Sequence, residues 1–128
     1  MRSYPEFIPA AGASLATKSV MSGTTEMRWL DRKSSQSPVD NGWRVLGASD
    51  TGEYLADNDN WQVVDFNELC AMEPALLAIW NLPVGSQLTL VTTSTGQKVF
   101  IDDATGAQIT ADEIYGAAPG SGPAPTSA

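Results

Sequence analysis

The sequence predicts a small α+β domain with a mostly antiparallel sheet and one principal helical segment. Three observations lead to this prediction. Short stretches of alternating apolar residues recur along the chain between polar turns, as in antiparallel strands. One stretch, from Phe66 to Trp80, has apolar residues at helical spacing. The 128 residues, of which 42% are hydrophobic, can build a single modest core.

Four predicted strands lie in the first half of the chain. The first two are joined by the turn Ser22-Gly23-Thr24. In the third strand, Trp43 and Val45 fall on one face, whereas Arg44 and Leu46 fall on the other. The predicted strands are residues 15–21, 26–30, 42–47 and 61–64, and the predicted loops are residues 31–41 and 52–60.

The principal helical segment is predicted to begin at Asp65, which forms a capping box with Glu68. In this box the Asp65 carboxylate accepts a backbone N–H of the first turn, and Glu68 reaches back to the cap. Pro74 either stops the helix or begins another one at its favoured first-turn position, and both alternatives stay open. The apolar residues that predict the buried helical face are Phe66, Leu69, Cys70, Leu76, Leu77 and Trp80.

A hairpin follows the helical segment. Residues 87–92 and 98–101 are predicted to pair as strands across the turn Ser94-Thr95-Gly96. Thr105-Gly106 marks a further turn. A second capping-box pattern, from Thr110 to Glu113, predicts a last short helix that stops at Gly116.

The composition divides the chain into three parts. Residues 1–13 form a predicted N-terminal arm, residues 14–115 form the domain, and residues 116–128 form a tail rich in Ala, Pro and Gly. The tail is predicted to be disordered, because it has too little apolar surface to offset the entropy of ordering. A flexible linker to a neighbouring domain is the alternative interpretation.

The charge is strongly acidic and unevenly distributed. The net charge is −8 and the sequence pI is about 4.2, which argues against binding nucleic-acid phosphates or an anionic membrane. A basic protein surface is a better match, although acidity can also serve solubility alone. No basic residue lies between Arg44 and Lys98, whereas the same interval contains seven acids: Asp50, Glu53, Asp57, Asp59, Asp65, Glu68 and Glu73.

The residues offer little for catalysis or metal binding. The chain has no histidine, so the usual Ser-His-acid and Cys-His arrangements are impossible. The single cysteine, Cys70, lies on the predicted apolar helix face, where a thiol behaves as a small hydrophobe. The run from Asp57 to Asn60 resembles the start of a calcium loop, but Trp61 follows where an oxygen ligand is needed. We therefore expect no enzyme activity, no metal and no cofactor.

Several motifs together resemble the immunity protein 33-like domain family. They are Trp29-Leu-Asp-Arg32, Asp40-Asn-Gly-Trp-Arg44, Asp50 with Glu53-Tyr-Leu55, the Glu73-Pro74 helix and Leu82-Pro-Val-Gly85. The similarity covers residues 15–91. Members of the family are associated with bacterial polymorphic-toxin systems, in which a small cytosolic protein binds and neutralises a toxin domain. The resemblance therefore implies a protein partner rather than an enzyme.

The leading hypothesis is a non-enzymatic immunity protein that covers the active surface of a cognate toxin. A scaffold or regulatory module with a different protein partner is the alternative, and the oligomeric state stays open. One cysteine and no stretch of about 20 apolar residues predict a cytoplasmic protein. Loops on a rigid scaffold commonly carry binding residues, and here the predicted partner-binding residues are Asp50, Glu53, Asp57, Asp59 and Trp61.

Overall fold

The computed structural model describes residues 4–109 and contains one seven-stranded sheet with short helices. The sheet order is β4-β1-β3-β2-β5-β6-β7, and every neighbouring pair is antiparallel except β1 and β3. This confirms the predicted α+β class. The strands are β1 (Ala13–Thr17), β2 (Met27–Arg32), β3 (Asp40–Gly47), β4 (Trp61–Asp65), β5 (Gln87–Thr92), β6 (Lys98–Asp102) and β7 (Ala107–Gln108). The helices are α1 (Lys18–Met21), α2 (Gly52–Leu55) and α3 (Phe66–Met72), with 3-10 segments at Asn58–Asn60 and Pro74–Ile79.

The predicted strand at residues 15–21 is wrong in its second half, because the chain turns helical at Lys18. Thr17 ends β1 and caps α1, accepting the backbone N–H of Val20 at 3.3 Å. The short helix and the turn at Gly23 redirect the chain, so β2 does not pair with β1. Instead β3 lies between them, parallel to β1 and antiparallel to β2.

The core lies on one face of the sheet, under α3 and the 3-10 segment Pro74–Ile79. Asp65 caps α3 as predicted, accepting the N–H of Asn67 at 2.8 Å, but no hydrogen bond among residues 4–109 joins Glu68 back to the cap, so only half of the predicted capping box forms. Pro74 begins a new segment, which settles the alternative left open by the sequence. Leu77 is 38% exposed, contrary to the predicted buried face, because a three-residue period points Leu76 and Ile79 inward instead.

Two predicted loops are more ordered than the sequence indicated. Residues 52–60 contain α2 and a 3-10 turn, because the Thr51 side chain caps α2 through the N–H of Tyr54 at 3.1 Å. The polar segment 31–41 is shorter than predicted, since β2 continues through Arg32 and β3 begins at Asp40. The hairpin of β5 and β6 is confirmed, with Thr92 opposite Lys98 and Gly96 at a φ of 86°.

Residues before β1 contact the domain at α3 and β3. Asn67 accepts a hydrogen bond from the N–H of Ile8 at 2.9 Å and donates to the Ile8 carbonyl at 3.0 Å. Asn41 donates to the carbonyl of Ala11 at 3.0 Å. The predicted helix near residue 110 and the predicted tail lie outside the described residues. No helix among residues 4–109 is long and apolar enough to cross a membrane.

Candidate partner-binding surface

The sheet face opposite α3 and the 3-10 segment Pro74–Ile79 bears an open groove, which we call the sheet groove. Residues paired across neighbouring strands point to the same side of a sheet. Leu15 is paired with Val63 on one side and with Arg44 on the other, and Arg44 is paired in turn with Asp31. These four side chains therefore share one face. The groove has a volume of about 580 Å³. Its lining includes Leu15, Asp31, Arg44, Leu46, Trp61 and Val63.

The acidic loop, residues 49–60, borders the sheet groove beside Trp61. The indole N–H of Trp61 donates to the Leu55 carbonyl at 2.9 Å, and the side chain of Asn60 donates to the Tyr54 carbonyl at 2.9 Å. Asn58 contributes to the groove lining. These bonds fix the loop against β4, so its position relative to the groove is set by the scaffold.

Three of the predicted interface acids are exposed on this loop. Glu53 lies on α2, while Asp57 and Asp59 flank the groove residue Asn58. Asp57 also caps the 3-10 turn, accepting the N–H of Asp59 at 2.9 Å. Asp57 and Asp59 therefore lie beside the groove lining at Asn58, the half-buried Trp61 is part of that lining, and Glu53 is exposed on the same loop.

Asp50, the fifth predicted residue, points inward and is occupied by internal hydrogen bonds. Its carboxylate accepts from Thr17 Oγ1 at 2.7 Å, Ser19 Oγ at 2.5 Å and the Gly47 N–H at 2.8 Å. Partial burial alone would raise the pKa of Asp50, but these hydrogen bonds outweigh burial and leave the pKa below its usual value. Asp50 thus joins α1 to the end of β3.

Asp31 is a groove residue that was not among the predicted partner-binding residues. It lies half-buried on β2, and within residues 4–109 its carboxylate forms no ion pair and accepts no hydrogen bond. Burial raises its pKa, an effect that Lys33 opposes and Asp103 reinforces. The missed signal was the period-two pattern of Trp29 and Asp31 against Leu30 and Arg32, which extends the strand into the polar run.

A model of the immunity protein Imm33 domain matches residues 14–100. The chain belongs to this family. The match confirms the predicted resemblance and covers both the sheet groove and the acidic loop. The chain matches no curated protein and no solved structure.

Arg44 of this Imm33 domain is held by an internal ion pair with Asp40. Its two terminal nitrogens donate to the two oxygens of Asp40 at 3.0 and 2.9 Å. The Arg44 guanidinium, together with the backbone N–H groups of Gln36 and Gly42, holds the pKa of Asp40 well below its usual range. Arg44 therefore brings a neutralised, fixed cation to the groove lining.

Groups for catalysis or metal binding are sparse in the described part of the Imm33 domain. Residues 4–109 contain no cluster of three or more Cys, Asp or Glu side chains that could hold a metal ion. Cys70 is fully buried, and burial raises the pKa of its thiol to about 12. A protonated, inaccessible thiol is not a nucleophile.

Proposed function

We propose that this protein is an immunity protein that neutralises a cognate bacterial toxin by direct, non-enzymatic binding. Family membership across residues 14–100 is the observation that carries the proposal. The open sheet face supports it, because no described helix covers the groove and its apolar walls remain available to a partner. We place this action in the cytoplasm, where a lone free cysteine is stable.

The acidic loop gives the proposed interaction its electrostatic character. Exposed acids on a rigid loop speed the encounter with a cationic surface and suppress encounters with anionic ones. Asp57 and Asp59 are exposed on either side of the groove residue Asn58, Glu53 is exposed on the same loop, and the groove lining includes Leu15 and Val63. This combination of charged rim and apolar centre is the usual anatomy of a protein interface.

Co-expression with the toxin candidate encoded beside the gene tests this function. The wild-type protein is expected to restore growth of cells that produce the toxin and to co-purify with it. Loss of both results for the wild-type protein would overturn the proposal. Co-purification without growth rescue would instead favour a scaffold or regulatory role.

A charge-matched pair of variants tests the part played by the acidic loop. Asp57→Lys with Asp59→Lys should slow association about tenfold at low salt and weaken its salt dependence. Glu26→Lys with Glu68→Lys makes the same change in net charge away from the groove lining. Stopped-flow mixing of the purified toxin with each variant, followed by fluorescence, measures the two association rates. Equal slowing by the two variants would mean that only the net charge matters.

A further inference from the structure

The sheet groove contains one carboxylate that forms no ion pair among residues 4–109. Asp31 is half-buried at the β2 side of the groove, and it makes no ion pair or hydrogen bond with any described residue. A carboxylate removed from water without a partner destabilises the fold that contains it. A binding partner that supplied a cation would relieve this cost.

The two basic residues of the groove do not fill this role. Arg44 lies directly across the strands from Asp31, but both of its terminal nitrogens are bound to Asp40. Asp40 is fixed in turn by the backbone N–H groups of Gln36 and Gly42. Lys33 is exposed and lies beyond ion-pair distance of Asp31, and its charge only partly offsets the rise that burial causes in the pKa of Asp31.

The remaining walls suit apolar side chains. Leu15 and Leu46 are half-buried, and Val63 is 70% exposed on the edge strand β4. A volume of about 580 Å³ is sufficient for a few side chains of a peptide segment. Asp31 lies between Arg44 on β3 and Gln87 on β5, and the apolar residues all lie on the β3 side of it. The groove therefore combines an anionic position on β2 with an apolar surface that extends across β3 and β1 to β4.

We propose that the sheet groove receives a peptide segment of the partner protein in which an Arg or Lys side chain is adjacent to apolar side chains. The cation pairs with Asp31, and the apolar side chains cover Leu15, Leu46 and Val63. The identification of the partner as the toxin rests on the proposed function, whereas the chemistry of the segment rests on the groove alone.

Charge complementarity selects this occupant over the alternatives. An acidic segment would meet Asp31 and the exposed acids Asp57 and Asp59. A second copy of the chain would bring another net charge of −8 against the same rim, which opposes self-association. A basic and apolar segment satisfies Asp31, the rim and the walls together.

A library of short random peptides displayed on phage tests the chemistry of the groove without a known toxin. Selection uses the wild-type protein, with counter-selection on Val63→Lys, which places a cation in the groove at an exposed position. The expected result is enrichment of peptides that carry Arg or Lys next to aliphatic or aromatic residues. No enrichment, or enrichment of peptides without a basic residue, would overturn the proposal.

Matched variants then test the contacts of one enriched peptide by isothermal titration calorimetry. Asp31→Asn should weaken its binding at least about tenfold, because a charge-assisted hydrogen bond is lost. Val63→Lys should weaken it similarly. The controls are Glu26→Gln and Val84→Lys, which change an exposed acid and an exposed valine outside the groove lining and should leave the affinity unchanged.

Backbone amide spectra of the protein with the same peptide locate the contact. Chemical-shift changes are expected along Leu46 and Val63 and at the indole of Trp61. Changes confined to α3 would overturn the groove assignment, as would undiminished affinity of Asp31→Asn. A failed growth rescue combined with these peptide results would overturn the toxin-neutralising function and retain the groove chemistry.

Discussion

The replacement Asp50→Ala asks whether this acid stabilises the domain or contacts a partner. Its carboxylate accepts hydrogen bonds from the buried Thr17 at the end of β1 and from Ser19 in α1, both about thirty residues earlier, and from the nearby Gly47 N–H at the end of β3. Removal of the carboxylate leaves the backbone N–H of Gly47 without its acceptor. The variant should therefore lose stability rather than partner affinity.

The magnitude follows from the bonds that are lost. A hydrogen bond to a charged group contributes about 1.5–3 kcal/mol, so three of them set an upper limit of roughly 9 kcal/mol. The Thr17 and Ser19 hydroxyls lie 3.0 Å apart and can bond to each other in the variant. The expected loss is therefore about 3 kcal/mol, which lowers the melting temperature by roughly 10–20 °C.

Urea denaturation followed by tryptophan fluorescence measures this loss. Because the folded-state pKa of Asp50 lies below the ordinary value of 3.8, the carboxylate stabilises the fold above that pH. Its contribution is lost as the pH falls through the folded-state pKa. The difference in free energy of unfolding between wild type and variant should therefore be largest at neutral pH and decrease in acid. Asp57→Ala, which removes one exposed acceptor, should cost at most about 1 kcal/mol. A loss below about 1 kcal/mol for Asp50→Ala, with weaker partner binding, would refute the structural role.

Three further predictions concern stability and reactivity. Asp31→Asn should raise the free energy of unfolding at neutral pH, because burial raises the folded-state pKa of Asp31 and its charged form destabilises the fold. This gain in stability should vanish below pH 3.8, the pKa of the unfolded state. A variant less stable than the wild type at neutral pH would contradict the prediction. Gly42→Ala should lower the free energy of unfolding, measured by thermal denaturation, by at least about 2 kcal/mol, because Gly42 has a φ of 90° and an added Cβ would meet the Lys33 carbonyl. The control Gly52→Ala, which has open space around it, should change this free energy by less than about 1 kcal/mol. Cys70 should react with a thiol reagent only after unfolding in urea, and a prompt reaction of the native protein would show that the thiol is accessible.

The local parts of the fold follow from the sequence, because they depend on spacing within one element. The alternation that separated Trp43 and Val45 from Arg44 and Leu46 matches the two faces of β3, where the first pair is fully buried. The hairpin turn at Gly96 likewise depends on neighbouring residues. The sheet order could not be predicted, since nothing in the spacing of β1 indicates that it pairs with β3 and β4 instead of β2.

The sequence predicts which acidic residues lie on the candidate site's loop, but it predicts only part of how the site's side chains are arranged in space. The charge pattern located Glu53, Asp57 and Asp59 on one acidic loop, but it could not separate them from Asp50, whose partners Thr17 and Ser19 lie about thirty residues earlier. Asp31 was missed because it opens a polar run that was assigned to a loop. The family match tests neither the interface residues nor the domain boundaries, so both stay predictions.

Hydrogen exchange of the protein, free and bound to the co-expressed toxin, tests the central claim most directly. The account predicts slower exchange on binding in residues 52–63 and along β2 and β3, which border the groove. The helical layer, α3 and Pro74–Ile79, should exchange at the same rate in both states. Protection confined to the helical layer, with none in residues 52–63, would contradict the account.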